Sequence, residues 1–200
     1  GQVLQEPYTF EKARIIVCEM LELLALDLVK KRLVTDQIVL TIGYDIENLT
    51  NPDIAKYYKG EVKTDPYGRK IPKHAHGTAH TSRQTSSTKL IMDATLKLYD
   101  EIVDKKLLVR RVTIAACNLV PESSVENKQS YEQLDLFTDY DKLMAKREQE
   151  EKALQNERKI QEAMIDIKER YGKNAILKGT NLQEGATTIE RNQSIGGHHE

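Results

Sequence analysis

Tryptophan is absent from this chain, phenylalanine occurs twice, and there are only two cysteines among 200 residues. Cys18 and Cys117 are far apart, form no C-x-x-C pair and sit in apolar surroundings. A disulfide framework is therefore excluded, and both read as small buried hydrophobes suited to a reducing cytoplasm. No apolar run approaches the ~18 residues a membrane span needs, and no signal peptide is evident. An excess of one charge is missing as well: 30 basic side chains face 31 acidic ones, so bulk charge selects no partner. Catalytic signals are equally scarce. No glycine-rich loop ends in lysine and serine or threonine, no strand carries paired carboxylates for phosphoryl transfer, and no serine or cysteine has an evident base. The chain by itself is expected to catalyse nothing and to hold no cofactor.

His74, His76 and His80 form an H-x-H-x3-H cluster. No cysteine or carboxylate lies near enough in sequence to complete a zinc site, and the surrounding loop is basic, which repels a cation. No metal is expected there, and His80 reads better as a phosphate contact. Local charge says more than the total. Lys59, Lys63, Arg69, Lys70, Lys73, Arg83 and Lys89 face only Glu61 and Asp65, and a second basic group comprises Lys105, Lys106, Arg110 and Arg111.

Periodicity organises what remains. Phe10 to Leu33 reads as a helix capped by Thr9, with Ile16, Val17, Met20, Leu23, Leu24 and Leu28 as its apolar stripe. Thr35 to Tyr44 alternates, with Ile38, Leu40, Ile42 and Tyr44 on one face and Val39, Thr41 and Gly43 on the other. Residues 45–77 form an irregular insertion rich in turn chemistry. Thr78 to Gln84 reads as a strand, Lys89 to Lys105 as a helix capped from Thr85-Ser86-Ser87-Thr88, and Val109 to Val120 as a strand. With Gln2 to Leu4 as a first strand, the class is α+β. The order is a ferredoxin-like β-α-β-β-α-β domain over residues 1–121, with an antiparallel sheet and two helices on one face.

The other sheet face then has no sequence to cover it. Thr41, His80, Thr81, Ser82, Arg83, Arg110 and Arg111 are its candidate phosphate contacts, which position a nucleic acid without reading sequence. Apart from Tyr44 at its edge this face lacks aromatics, against the version of this topology that stacks RNA bases on strands.

Beyond Pro121 the character changes. Residues 122–138 read as a linker and 139–171 as one long charged helix, with Ile160, Met164, Ile167 and Tyr171 as a stripe on its back half. Residues 172–200 read as a flexible tail. Within the linker, Gln133-Leu134-Asp135-Leu136-Phe137 matches the bacterial sliding-clamp-binding motif. Its leucine and phenylalanine can fill an apolar pocket while the glutamine amide fixes register.

These pieces converge on one family. Gly1-Gln2-Val3-Leu4, Phe10–Leu33, Asp65-Pro66-Tyr67-Gly68-Arg69-Lys70-Ile71-Pro72, Thr85-Ser86-Ser87-Thr88 and Leu108-Val109-Arg110-Arg111-Val112 closely resemble the little-finger domain of Y-family translesion DNA polymerases. The nearest branch resembles the UmuC/DinB-like enzymes of Gram-positive bacteria. The likeness continues through Gln133–Phe137 into Gly172-Lys173-Asn174-Ala175-Ile176-Leu177 and Gly185-Ala186-Thr187-Thr188-Ile189-Glu190-Arg191. It implies an error-prone, damage-tolerance DNA polymerase as parent, with a magnesium-binding palm preceding Gly1. It also implies two partners: double-stranded template–primer DNA, and the sliding clamp (beta subunit). In the family the little-finger sheet lies against the duplex major groove. By position Arg110 and Arg111 match the basic pair of the last strand, and Thr81 to Arg83 the polar stretch before it; the long 45–77 insertion departs from the compact members. Two alternatives differ in class: a stand-alone, non-catalytic clamp- and DNA-binding accessory, and an oligomer built around the 139–171 helix.

Overall fold

The computed structural model describes residues 1–126 and 140–194. The chain runs β1 (Gln2–Tyr8), α1 (Phe10–Lys31), β2 (Leu33–Tyr44), α2 (Glu47–Thr50), α3 (Pro52–Ala55), β3 (Val62–Thr64), β4 (Lys70–Pro72), β5 (Ala75–Thr85), α4 (Thr88–Ile102), β6 (Val109–Cys117), β7 (Val120–Pro121) and α5 (Ser123–Glu126). After the undescribed segment come α6 (Tyr140–Tyr171), a 3-10 turn (Gly179–Leu182) and α7 (Thr188–Gln193).

The main sheet has the order β1-β6-β2-β5, every pairing antiparallel. β1 and β2 are therefore parallel with β6 between them, and β5 and β6 are parallel with β2 between them. Each helix thus crosses a split β-α-β unit, and the β-α-β-β-α-β expectation holds. Both ends of α1 are specified locally. The Thr9 hydroxyl accepts the Lys12 N–H at 3.4 Å. At the far end Arg32 takes the left-handed conformation (φ 55°) and returns its N–H to Leu28 and Val29 carbonyls.

The core lies between the sheet and the helix pair. Ile38, Leu40 and Ile42 of β2, Val109 and Val112 of β6, and Ile91 and Tyr99 of α4 are all fully buried with Ile16 and Leu21 of α1. Each such aliphatic side chain contributes roughly 1.5–3 kcal/mol on burial. Tyr99 keeps its hydroxyl satisfied by donating to the Phe10 carbonyl at 2.8 Å, and its ring meets Phe10 at 4.8 Å. Burial pushes that phenol far above its ordinary range. Gly77 is core-facing because α4 lies close: a Cβ there would stand 2.9 Å from the Leu98 side chain.

Four expectations need correction. The 45–77 insertion is ordered: two short helices and the β3–β4 hairpin fill it, and β5 begins at Ala75. Asn48, fully buried, ties it to β6 by exchanging side-chain hydrogen bonds with both backbone groups of Leu108 (2.7 and 2.8 Å). The α1 stripe is wider than read. Ala13 and Ala25 are fully buried while Leu23 is exposed, because α1 is covered by the sheet and α4 on one side and by later segments on another.

The α6 stripe holds at Met164, with Ile167 half-buried, and fails at its two ends. Ile160 is 60% and Tyr171 76% exposed, and Gln161 and Met164 are the buried residues. α6 docks through polar groups. Glu157 accepts the Lys89 N–H at 2.9 Å, placing a carboxylate at the positive start of α4. Gln161 donates to the Ser86 carbonyl and the Thr88 hydroxyl, both at 2.9 Å, and Arg158 bridges Ser86 to Glu122.

The tail, read as flexible, folds back onto α1 as far as residue 194. Glu19, 1% exposed, gathers it: its carboxylate accepts from the Asn181 amide (2.9 Å) and from the backbone N–H of Thr187 (2.9 Å) and Thr188 (3.2 Å). Gln2 of β1 adds a hydrogen bond to Thr187 at 2.8 Å. Lys12–Glu184 and Lys178–Glu22 ion pairs flank the seam.

Removing the Glu19 carboxylate orphans these donors, each costing ~1–3 kcal/mol if left buried and unpaired. Glu19→Ala should lower unfolding stability by ~2 kcal/mol or more. It should also accelerate tryptic cleavage at Lys173 and Lys178 well before the β-sheet is cut. Denaturant melts and timed proteolysis check both.

Candidate nucleic-acid interface

Side-chain alternation sends Ile38, Leu40 and Ile42 inward and so turns Gln37, Val39, Thr41 and Gly43 to the opposite face. The pairing register extends that face sideways. Cys117, Ala115, Thr113 and Arg111 of β6 oppose Gln37, Val39, Thr41 and Gly43, and His80, Thr78 and His76 of β5 oppose Gln37, Val39 and Thr41. Val3 of β1 lies beyond Arg111 and is 64% exposed. His76, Thr78, His80, Arg111 and Ala115 are likewise exposed. Apart from Val3, Gln37 and Val39, these residues are small, hydroxylated or basic, and none of them is a carboxylate.

Thr41 and His76 are joined at 2.8 Å between the hydroxyl and Nδ1. With the hydroxyl donating, Nε2 carries the ring hydrogen and is available as a donor. Gly43 opposes Arg111 so closely that a Cβ would come within 3.2 Å of the arginine Cβ. Glycine therefore leaves the foot of that guanidinium uncrowded.

The residues expected to grip phosphate divide into three groups. Thr41, His80 and Arg111 stand on the open face together. Arg110 does not join them. A register shift makes it the extra residue of a β-bulge between Val109 and Arg111. Its guanidinium donates to the Gln5 carbonyl at 3.0 Å and lies 3.6 Å from the buried Asp45 carboxylate. It acts as a strut between β1 and the end of β2. Thr81, Ser82 and Arg83 lie where the β2–β5 register shifts again, and the Thr81 hydroxyl turns onto the Arg83 carbonyl at 2.7 Å. Arg83 is ion-paired with Glu151 of α6 at 2.6 Å.

Sequence reading passed over His76 as a partner of Thr41, although the spacing His76, Thr78, His80 carried the signal. Among the described residues no three of His, Cys, Asp and Glu converge as a metal-ligand set. His74 and His76 meet edge to face at 6.3 Å. Burial pushes the Cys18 thiol up, and Cys18 and Cys117 are both free. Gln133 to Phe137 lie outside the described residues. No described helix is long and apolar enough to cross a membrane.

Fold and face together define an α+β domain whose antiparallel sheet carries α1 and α4 on the same side. Residues 2–136 match the impB/mucB/samB family C-terminal domain, and the chain belongs to that family. Membership assigns it to the C-terminal region of Y-family DNA polymerases, the enzymes of DNA damage tolerance. A search among curated proteins returns no match.

The division between the two arginines is measurable. Arg110→Ala should destabilise the domain by about 1 kcal/mol through loss of the Asp45 and Gln5 contacts. Arg111→Ala should stay within about 0.5 kcal/mol of wild type, as an exposed substitution does. Thermal melts of the two variants make the comparison.

Proposed function

We propose that this chain is the duplex-holding, clamp-tethering C-terminal portion of an error-prone translesion polymerase. The observation that carries the reading is the sheet face opposite α1 and α4, flat at Gly43 and Ala115, with His76, Thr78, His80 and Arg111 exposed along it and Thr41 and Thr113 half-buried among them. Hydroxyls and a guanidinium spread over a flat surface suit backbone phosphates, which carry no sequence information. Indifference to sequence is what an enzyme copying damaged templates requires of its grip. The catalytic magnesium of such a polymerase belongs to a palm domain, and no residue here is assigned to it.

The contacts divide by role. Thr41, His80 and Arg111 meet phosphate directly, Thr81, Ser82 and Arg83 extend the contact at the end of β5, and Arg110 sets the angle of the strand beside Arg111. Arg83 can serve only by exchanging Glu151 for phosphate, so its contribution is smaller than that of Arg111. Gln133 to Phe137 act as a separate hook for the sliding clamp. A grip of few phosphate contacts is weak and salt-sensitive. Linking it to a ring already threaded on DNA raises the local concentration and extends residence without new contacts. The accessory reading shares all these contacts and differs only in lacking an attached polymerase.

Duplex affinity should fall steeply with salt, and Arg111→Ala should weaken binding about equally across sequences while reducing the salt slope by ~1. Fluorescence anisotropy over a salt series reads both, and a flat salt response defeats the phosphate grip. Leu136→Ala with Phe137→Ala should abolish clamp capture in a pull-down and leave duplex binding intact; normal capture by that variant defeats the hook.

A further inference from the structure

We propose that the segment from Lys56 to Lys73 is a second nucleic-acid site, one that takes unpaired bases; it rests on the duplex-holding reading and extends it. Two tyrosines stand out there: Tyr67, on the β3–β4 turn, is 83% exposed and Tyr57 is 66% exposed. The turn that carries Tyr67 is tied together by Asp65. The Asp65 carboxylate accepts the backbone N–H of both Tyr67 and Arg69 at 2.9 Å, and Gly68, at φ 78°, returns its own N–H to the Asp65 carbonyl. The same carboxylate clasps the Arg69 guanidinium at 2.8 and 2.7 Å. That guanidinium lies 5.2 Å from the centre of the Tyr67 ring, while Lys56 stands 5.0 Å from that of Tyr57.

Charge points the same way. Six cations and two acids lie between residues 56 and 73. Both acids are matched within the segment, Glu61 by Lys73 and Asp65 by Arg69. Lys59, Lys63 and Lys70, all exposed, therefore set the sign of the local field. Exposed rings among ammonium groups are the chemistry of single-strand binding: bases stack on the ring and phosphates meet the lysines. Bases inside a duplex are stacked on one another and cannot use the ring, so the site selects unpaired strand. Holding the ring on a fixed turn also lowers the ordering cost of binding. β4 leads directly into β5, whose His76 and Thr78 lie on the open face. The hairpin thus adjoins the β5 edge of the open face.

Anisotropy with three labelled probes tests this: a blunt duplex, the same duplex with a 5′ thymidine overhang, and oligo(dT) alone. Wild type should prefer the overhang to the blunt end. Tyr67→Ala should lose about five-fold or more on the overhang and on oligo(dT), while blunt-duplex affinity stays unchanged and Tyr67→Phe restores the preference. Overhang binding equal to wild type in Tyr67→Ala, or an equal loss on blunt duplex, overturns the proposal. Arg111→Ala separates the two sites, since it should weaken both duplex probes alike. A wild-type chain that ignores blunt duplex yet holds oligo(dT) through Tyr67 would sink the open-face reading and leave the hairpin site standing.

Discussion

The register of β2 against β6 is the constraint on which the rest of this molecule depends. Ile38 opposite Ala116, Leu40 opposite Ile114 and Ile42 opposite Val112 put one set of side chains into the helical layer. The same pairing puts Thr41 with Thr113 and Gly43 with Arg111 on the outer face. A slip of one residue would exchange the two sets, burying a guanidinium and exposing three aliphatic side chains. Core and candidate interface are thus one feature seen from two sides. The hydrophobic demand of the inner face enforces the chemistry of the outer one.

A second layer of organisation is polar. The C-terminal segments reach the domain through Glu19, Glu157, Arg158 and Gln161, with Met164 supplying the one buried apolar side chain of the long helix among the described residues. Buried hydrogen bonds of this kind are worth little in isolation, because water offers the unfolded chain equivalent partners. They are costly to break singly, since each orphaned group stays out of water. Such a seam fixes one docking geometry more strongly than it raises stability. Among the described residues α6 meets β5 at Arg83 and lies against α1, Glu122 and the residues that open α4, while His76, His80 and Arg111 stay exposed.

How much could be read in advance varied with the kind of force involved. The split β-α-β-β-α-β order and the inward set of β2 followed from the alternating and helical spacings, and Thr9 and the Ser87 region announced their helices. The insertion was read as irregular because its elements are three or four residues long, too short for any period to register, and its anchor is one buried asparagine. The tail looked flexible because its attachments are a carboxylate and backbone N–H groups, which leave no hydrophobic pattern. Of the candidate site, Thr41, His80 and Arg111 were legible as an alternating polar face. That Arg110 is a strut was not, since a bulge is a feature of two strands compared and neither strand shows it alone.

Local rules therefore determined what lies in one long element: which residues form it, where α1 and α4 begin, and which side of β2 is apolar. They act over a few residues and leave their mark in composition and spacing. Only the tertiary structure decided what lies between elements. It set the bulge that turns Arg110 toward Asp45, the pairing of Arg83 with Glu151, the pairing of Thr41 with His76, and the capture of Asn181, Thr187 and Thr188 by Glu19. Those outcomes depend on contacts between positions 35 to 169 residues apart. A polar side chain can satisfy itself with many partners, so its identity alone does not say which one the fold will bring.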